Sequence, residues 1–234
     1  MSELNDGFGF EGRGVDLILF PECSLSGFSS KISECSEAVL QPYLENIQEW
    51  SNRTGVQVVL PTAIVREGNI YNSGFVFAKN GKQQIYKIGL TDSEKNFFSL
   101  PTDSAPKVLQ VRGYRLAILI CHEAENAPWM YFNPESVDAI LWPGYWGWTQ
   151  ESRWVESKVF LNHTHWKIPL LQANFSQNKL DGYEGSGPEG LSHIVGSDNQ
   201  VVHLGAHLQE DAFIVNLEPK NGKLSVVSVE TVLK

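Results

Sequence analysis

The chain has 234 residues, 42% of them hydrophobic and 11% aromatic, so it can bury a sizeable core and lacks the composition of a disordered protein. Its net charge of −9, without any basic run, argues against binding to nucleic acid or to an anionic membrane surface. The sequence contains no apolar run long enough to span a bilayer, no secretory signal and, with three cysteines, no disulfide framework. We therefore expect a single domain over residues 1–234, located in the reducing cytoplasm.

The first third of the chain predicts strands with one helix between them. Residues 1–14 are polar and irregular, and residues 15–20 have the continuous apolar pattern of a strand buried on both faces. A helix is predicted over residues 36–53, because its apolar side chains recur at helical spacing. Pro42 leaves open whether that helix starts before it or at it. Residues 56–65 predict a bent strand, or a strand that runs into a loop, because a proline interrupts them.

Two hairpins are predicted in the middle of the chain. Asn80-Gly81 is a strong hairpin signal, and the second strand of that hairpin ends near Lys87. Two further strands are joined at Arg112-Gly113. The second of these, residues 115–120, is apolar without polar alternation after its first residue and leads directly into Cys121.

The remainder of the chain also alternates between strands and loops. After a turn or short helix, the predicted elements are a strand over 137–148 that runs into an aromatic loop, a helix over 151–165, a strand over 168–175, a glycine-rich loop over 180–190, a hairpin over 191–204, a last core strand over 211–217 and an amphipathic tail over 220–234.

Three of these strands end on side chains suited to nucleophilic catalysis, namely Glu22, Lys87 and Cys121. The thiolate is the reactive form of cysteine, a nearby ammonium favours it, and a carboxylate can accept the thiol proton. Taken singly, each residue also has a structural explanation, as a surface acid, a snorkelling lysine and a small core residue. The three together favour a hydrolase that attacks an amide or nitrile carbon.

The segments around these residues resemble three motifs of the nitrilase, or carbon-nitrogen hydrolase, superfamily. GVDLILFPECSLSGF resembles the motif that carries its glutamate, and YNSGFVFAKNGKQQIYKIGL resembles the hairpin that leads to its lysine. RLAILICHEAENAP resembles the strand that ends on its cysteine. The resemblance spans residues 12–218 and implies an α/β fold, a four-layer αββα sandwich, with copies packed as a homodimer or a higher homo-oligomer.

The resemblance also implies a reaction and its residues. It implies a catalytic triad of Glu22, Lys87 and Cys121 with Glu94 as a supporting acid, which cleaves a small amide, or a nitrile or carbamoyl compound, through a thioester. It implies no cofactor and no metal. The backbone N–H of His122, next to the nucleophile, is a candidate oxyanion donor.

The aromatic loop offers Tyr145 and Trp146 as candidate substrate-pocket residues, and the alternative that they lie in the core or in a dimer interface stays open.

Two features depart from the family pattern. Only 14 residues precede Val15, so we expect the family's first strand and most of its first helix to be missing, with the tail or a partner chain covering the core. His122-Glu123 stands where nitrilases carry Trp-Glu and amidases carry Tyr-Asp or Tyr-Glu. Together with the loss of the Arg-Phe-Pro-Glu that usually follows, this pair favours an amidase-like enzyme over a nitrilase.

Two other functions stay open at this point. The chain can be an inactive binding or assembly homologue with a vestigial site, or a hydrolase in which a histidine is the base of the cysteine. His163 and His165 do not share a face of the predicted helix, since residues two apart point in different directions. The histidines and cysteines also lack the spacing of metal ligands.

Overall fold

The computed structural model describes residues 13–28, 30–102, 107–125, 132–146, 157–176, 190–207 and 211–233. These contain two α-helices, α1 (Glu37–Thr54) and α2 (Lys158–Trp166), and short 3₁₀ helices at Ser30–Glu34, Glu94–Asn96, Cys121–Ala124 and Pro134–Ser136. The strands are β1 (Leu17–Leu19), β2 (Gln57–Arg66), β3 (Asn69–Ala78), β4 (Gly81–Tyr86), β5 (Val108–Val111), β6 (Tyr114–Ile118), β7 (Ala139–Gly144), β8 (Leu170–Asn174), β9 (His193–Val195), β10 (Val201–Leu204), β11 (Ala212–Lys220) and β12 (Lys223–Leu233).

The strands form two main sheets and a separate hairpin. The first sheet has the order β1-β2-β3-β4, with β1 parallel to β2 and the other neighbours antiparallel. The second has the order β10-β9-β8-β7-β6-β5, in which β6, β7 and β8 are mutually parallel. Consequently β1 and β4 run in the same direction and end at the same edge of their sheet, as do β6, β7 and β8 in theirs.

The hairpin turns lie where the sequence predicts them. Asn80 adopts a φ of 70° in the β3–β4 turn, and Arg112 and Gly113 have φ values of 48° and 87° between β5 and β6. Asn80 in the first turn, and both Arg112 and Gly113 in the second, thus adopt the positive φ that tight hairpin turns favour. Both hairpin predictions are thereby confirmed.

Helix α1 begins five residues before Pro42, which settles the question that this proline raises. Ser36 caps the helix by accepting a hydrogen bond from the backbone N–H of Val39, and Leu40 is 3% exposed. The cap and the burial of the apolar face compensate for the one helical hydrogen bond that proline cannot make. At the other end, Gly55 closes the helix with a φ of 75°.

Strand β2 continues through Pro61 instead of breaking there. The carbonyl oxygens of Val59 and Pro61 point toward the segment of β1, since they accept from the N–H groups of Phe20 and Ser24, both at 3.0 Å. The nitrogen of Pro61, which carries no hydrogen, therefore faces the region beyond the end of β1. No hydrogen bond between the two strands is lost there.

The layers follow from the alternation of side chains along buried strands. Outward-facing residues of β2 and β3 pack on Leu40 and Leu44 of α1, while Val59, Val76 and Ile85 face the second sheet. In the second sheet, one face packs against the first sheet and the other packs on Val159 and Trp166 of α2. The order helix, sheet, sheet, helix is the predicted αββα sandwich, and this prediction is confirmed.

The segment 211–217 is not the core strand that its apolar pattern predicts. Within the described residues β11 pairs only with β12, and its side chains are half-buried or exposed. Leu217 and Leu224 of this hairpin nevertheless pack against the cluster between the two sheets, which fits the expected covering role of the tail.

Strand β1 also differs from expectation. Only residues 17–19 form the strand, and they are half-buried, because in the described chain β1 pairs with β2 alone. An open cleft of about 920 Å³ lies between β1 and β11.

The helix predicted over 151–165 begins at Lys158, capped by Ser157, and residues 151–156 lie outside the described part of the chain. The predicted glycine-rich loop also falls outside it, up to residue 189. Neither α1 nor α2 has the length and apolar content of a membrane-spanning helix.

Candidate active site

The site lies where strand ends of the two sheets meet. Glu22 follows β1, Lys87 follows β4, and Cys121 follows β6 at the start of a 3₁₀ helix. Main-chain hydrogen bonds fix the first two, from the N–H of Glu22 to the carbonyl of Gly144 (3.3 Å) and from the N–H of Lys87 to the carbonyl of Asn72 (2.9 Å). The first of these bonds joins the two sheets, since Gly144 ends β7.

The ammonium of Lys87 is held between two carboxylates. Its Nζ lies 2.8 Å from Oε1 of Glu22 and 2.6 Å from Oε1 of Glu94. Glu22 and Lys87 are each 1% exposed, and Glu94 is 7% exposed. Glu94 therefore lies against the same ammonium as Glu22.

Two further residues hold the carboxylates in this arrangement. Asn72, in β3 between the two strand ends, donates its Nδ2 to Oε1 of Glu22 (2.8 Å) and to Oε1 of Glu94 (3.3 Å). The backbone N–H of Thr91 donates to Oε2 of Glu94 at 2.8 Å. The hydrogen bonds orient both acids toward a single cation.

Charge pairing outweighs burial at this cluster. Burial alone lowers the pKa of Lys87, but Cys121 in its ionised form and the carboxylates of Glu22 and Glu94 together hold that pKa well above its usual value. Burial raises the pKa of Glu94, but the charge of Lys87 and the hydrogen bonds with Lys87 and Thr91 lower it by more. The pKa of Glu94 is therefore below its usual value. Lys87 is thus an ammonium and Glu94 a carboxylate at neutral pH.

The thiol of Cys121 is within electrostatic range of the same charges. Burial raises its pKa most, Glu22 and Glu94 raise it further, and Lys87 only partly opposes them, so the pKa lies well above that of an ordinary thiol. The resting group is therefore a thiol, and a neighbouring base is needed to remove its proton.

The backbone at Cys121 is held in a sparsely populated conformation. Its φ is 51°, in the left-handed region that a residue with a Cβ adopts at a cost. The indole Nε1 of Trp142 donates to the Cys121 carbonyl at 2.9 Å, and the Sγ lies 3.9 Å from the Tyr145 carbonyl oxygen. Packing around Trp142 thus supports the turn that presents the thiol.

The recorded bonds of His122 and His163 go to partners other than Cys121. The ring of His122 lies 3.0 Å from Glu125 through its Nδ1, and His163 bonds to Asn199 and to the Ile168 carbonyl. The groups that shift the pKa of Cys121 are Glu22, Lys87 and Glu94, together with the backbone of Tyr145. This placement favours the carboxylate over a histidine as the base, and the described residues contain no metal-binding group of His, Cys, Asp and Glu.

The two candidate pocket residues lie in different surroundings. Tyr145 is next to Cys121, and its ring stacks on Phe28 with centroids 4.8 Å apart. Trp146 packs on Trp142 (5.5 Å) and on both central core clusters, and Asn174 bonds to its N–H and its carbonyl. Trp146 thus packs against core residues, while the Tyr145 carbonyl lies against the Cys121 thiol.

The residues that support the site are mostly ones that the sequence pattern does not identify. Asn72 and Trp142 bond to residues of the predicted triad, and Glu123 of the buried pair Lys107–Glu123 bonds to the main chain next to Lys87 and Cys121. The sequence signal for Asn72 is an amide within a predicted strand, which needs a hydrogen-bond partner if it is buried. The cleft beside β1 contains none of the three triad residues and is a separate feature.

Comparison with known proteins finds a matching family. The sequence profile of the carbon-nitrogen hydrolase family matches residues 9–210. An (R)-stereoselective amidase from Pseudomonas sp. is 35% identical over 114 residues, which cover 47% of this chain and 41% of the amidase. The match thus spans less than half the length of that relative.

Solved structures share the fold at low identity. A CN-hydrolase superfamily protein from Xanthomonas campestris, with an arsenic adduct in its active site, superposes with a TM-score of 0.68 at 16% identity, covering 93% of this chain and 77% of that one. The second structure is a variant of the amidase from Nesterenkonia sp. AN1, with the acetamide moiety of fluoroacetamide added covalently at its active-site cysteine. It superposes with a TM-score of 0.67 at 20% identity, covering 84% of this chain and 75% of that one.

Proposed function

Because this chain belongs to the carbon-nitrogen hydrolase family, we propose that it hydrolyses a small carboxylic amide through a thioester formed on Cys121. The observation that carries the proposal is the buried cluster in which one ammonium joins two carboxylates beside a buried thiol. The amidase relative and the cysteine adduct of the Nesterenkonia enzyme support an amide as the substrate and a cysteine as the nucleophile.

Acylation begins with the transfer of the Cys121 thiol proton to Glu22. The thiolate attacks the amide carbon, and the carbonyl oxygen takes up the negative charge of the tetrahedral intermediate. The ammonium of Lys87 stabilises that oxyanion. As the carbon-nitrogen bond breaks, the proton held by Glu22 passes to the leaving nitrogen, and ammonia or an amine departs from the acyl thioester.

Deacylation reuses the same carboxylate. Glu22 removes a proton from water, and the resulting hydroxide attacks the thioester carbon. Lys87 again stabilises the oxyanion, and collapse of the intermediate breaks the carbon-sulfur bond. The Cys121 sulfur recovers the proton from Glu22, and the carboxylic acid product leaves.

Glu94 completes the cluster without taking part in bond exchange. Its carboxylate holds Lys87 at 2.6 Å and favours the ammonium form, which a buried lysine otherwise tends to lose. Lys87 thus carries one positive charge between the two carboxylates of Glu22 and Glu94.

The test is the release of ammonia from a panel of short aliphatic and aromatic amides, with the corresponding nitriles and carbamoyl compounds in parallel. We expect release from amides, loss of release in Cys121→Ala, and full release in Cys35→Ala, because Cys35 is a free cysteine outside the cluster. Mass spectrometry of the quenched reaction should find the acyl group on the peptide that contains Cys121.

The alternatives give different results in the same assay. An inactive homologue releases ammonia from none of the compounds although it is folded. A Cys-His hydrolase keeps most of its activity in Glu22→Gln and Lys87→Met and loses it in one His→Ala variant. Either result would overturn the proposal.

The homodimer and the cytoplasmic location stay predictions. Size-exclusion chromatography with light scattering tests the first, and cell fractionation tests the second.

A further inference from the structure

We propose that the buried Glu123–Lys107 pair positions Lys87 and Cys121 relative to each other, and this inference rests on the proposed function of those two residues. Glu123 contacts main-chain groups beside each of them. It is a positioning residue, because it acts on the reacting groups through the backbone.

One carboxylate ties together the two segments that carry the ammonium and the thiol. Its Oε1 accepts from the N–H groups of Ile88 (2.8 Å) and Gly89 (3.2 Å), directly after Lys87. Its Oε2 accepts from the N–H of Ile120 at 2.8 Å, directly before Cys121. If either segment moves relative to the other, a hydrogen bond to the Glu123 carboxylate is therefore strained.

Burial makes this connection rigid and dependent on a counterion. Glu123 is fully buried and Lys107 is 5% exposed, and the ammonium of Lys107 bonds to Oε1 of Glu123. A buried carboxylate without a cation is strongly disfavoured, so Lys107 permits a charged acceptor at this place. A charged acceptor binds several N–H groups more strongly than a neutral amide does.

The connection is made between different sheets. Ile88 follows β4 of the first sheet, whereas Ile120 follows β6 of the second and Lys107 immediately precedes β5. Glu123 thus links the two sheets next to the reacting groups, and misplacement of a reacting group by about 1 Å can cost roughly 10²-fold in rate.

Two variants separate position from charge. Glu123→Asp keeps the charge but shortens the side chain by one methylene, so that it cannot reach both segments. The double variant Glu123→Gln/Lys107→Met removes the pair without changing net charge, and its amide nitrogen cannot accept from an N–H. The matched control is Asp138→Asn, since Asp138 accepts from the N–H of Arg115 (2.7 Å) near the opposite end of β6.

Two readouts are needed. The first is kcat and KM for amide hydrolysis, for which we expect a fall in kcat of about 10²-fold in both variants and a much smaller change in KM. The second is the pH dependence of Cys121 alkylation by iodoacetamide, which needs no amide substrate. The charged groups that face the thiol are Glu22, Lys87 and Glu94, and a displaced Lys87 shifts the alkylation profile to higher pH.

The outcomes are distinct. If folded Glu123→Asp has the kcat and the alkylation profile of the wild type, the inference is overturned, and the same holds if activity falls only in proportion to the folded fraction measured by circular dichroism. If the double variant does not fold, Glu123→Asp alone decides. If the wild type releases no ammonia but the alkylation profile shifts in the variants, the proposed function fails and the positioning role stands.

Discussion

Lys87 Nζ lies 2.8 Å from Glu22 Oε1, although the two residues are 65 positions apart and follow opposite edge strands of the same sheet. They meet because β1 and β4 run in the same direction and end at the same edge. Three strand spacings, about 14 Å, separate two such ends in a flat sheet, so the loops after the strands and two long side chains must bridge the gap. Asn72, in the intervening β3, fills that gap with a donor to both acids.

Replacement of Lys87 by methionine should abolish most activity and also destabilise the fold. The variant leaves Glu22 and Glu94 buried without a cation, which costs about 3–5 kcal/mol in the free energy of unfolding. We expect kcat to fall by about 10²–10³-fold, because the oxyanion loses its charged partner. Urea unfolding at neutral pH and at lower pH measures the stability, and the deficit should shrink at lower pH as a carboxyl group takes up a proton.

Lys95→Met is the control for this prediction. Lys95 is exposed and pairs with exposed Asp92, so its replacement should leave kcat and stability unchanged. A Lys87→Met variant as stable as the wild type at neutral pH would contradict the assignment of Lys87 as the counterion of both acids.

Replacement of Glu94 by glutamine should make Cys121 more reactive toward iodoacetamide while it slows hydrolysis. Glu94 raises the pKa of the Cys121 thiol, so removal of its charge lowers that pKa and increases the thiolate fraction at fixed pH. The alkylation rate should rise roughly three- to fourfold for each pKa unit, since lower basicity offsets part of the gain. Asp92→Asn, an exposed acid in the same segment, should leave the rate unchanged, and a rate equal to the wild type in Glu94→Gln would refute the prediction.

Replacement of Trp142 by phenylalanine should disturb the turn at Cys121. The variant loses the hydrogen bond to the Cys121 carbonyl, and an unpaired buried carbonyl costs about 1–3 kcal/mol. We expect lower stability and a lower kcat per folded molecule. Trp166→Phe removes the same atoms from a buried tryptophan of α2 that packs on Phe132, so it should lose stability without losing kcat. Equal kcat in the two variants would show that Trp142 does not support the nucleophile.

His193 should make the fold sensitive to mild acid. Burial lowers its pKa to about 4, below the value of about 6.5 expected in the unfolded chain. The unfolded state therefore binds a proton first as the pH falls, so the contribution of His193 to stability is complete above about pH 6.5 and is lost progressively toward pH 4. Between pH 7 and pH 5 the loss is about 2 kcal/mol.

Urea unfolding of the wild type and His193→Gln at the two pH values isolates this contribution. Between pH 7 and pH 5, the free energy of unfolding of the variant should fall by about 2 kcal/mol less than that of the wild type, because glutamine does not titrate. His163 also has a pKa lowered by burial and titrates in both proteins, so it cancels in the difference. Identical pH dependence in the two proteins would contradict the buried neutral state of His193.

Local patterns were sufficient to predict most elements of the fold. Hairpins at Asn80-Gly81 and Arg112-Gly113 depend on residues that tolerate positive φ, and continuous apolar runs mark strands covered on both sides. The prediction of a core strand at residues 211–217 was wrong. These residues belong to a separate hairpin, and its apolar strand has the same local composition as a strand in the centre of a sheet. At Trp146 the pattern left a pocket and a core position open, since aromatic side chains occur in both.

The sequence by itself determined which residue types stand at the strand ends, because strand length, turn chemistry and apolar runs are local properties, and it thereby identified Glu22, Lys87 and Cys121 as candidates. Only the tertiary structure decided the protonation states of these residues and the hydrogen bonds that hold them in place. Desolvation and charges from distant segments make Cys121 a thiol and Lys87 an ammonium, and the links through Asn72 and Glu123 join positions far apart in the chain. These depend on distances through space, which no pattern along the chain encodes.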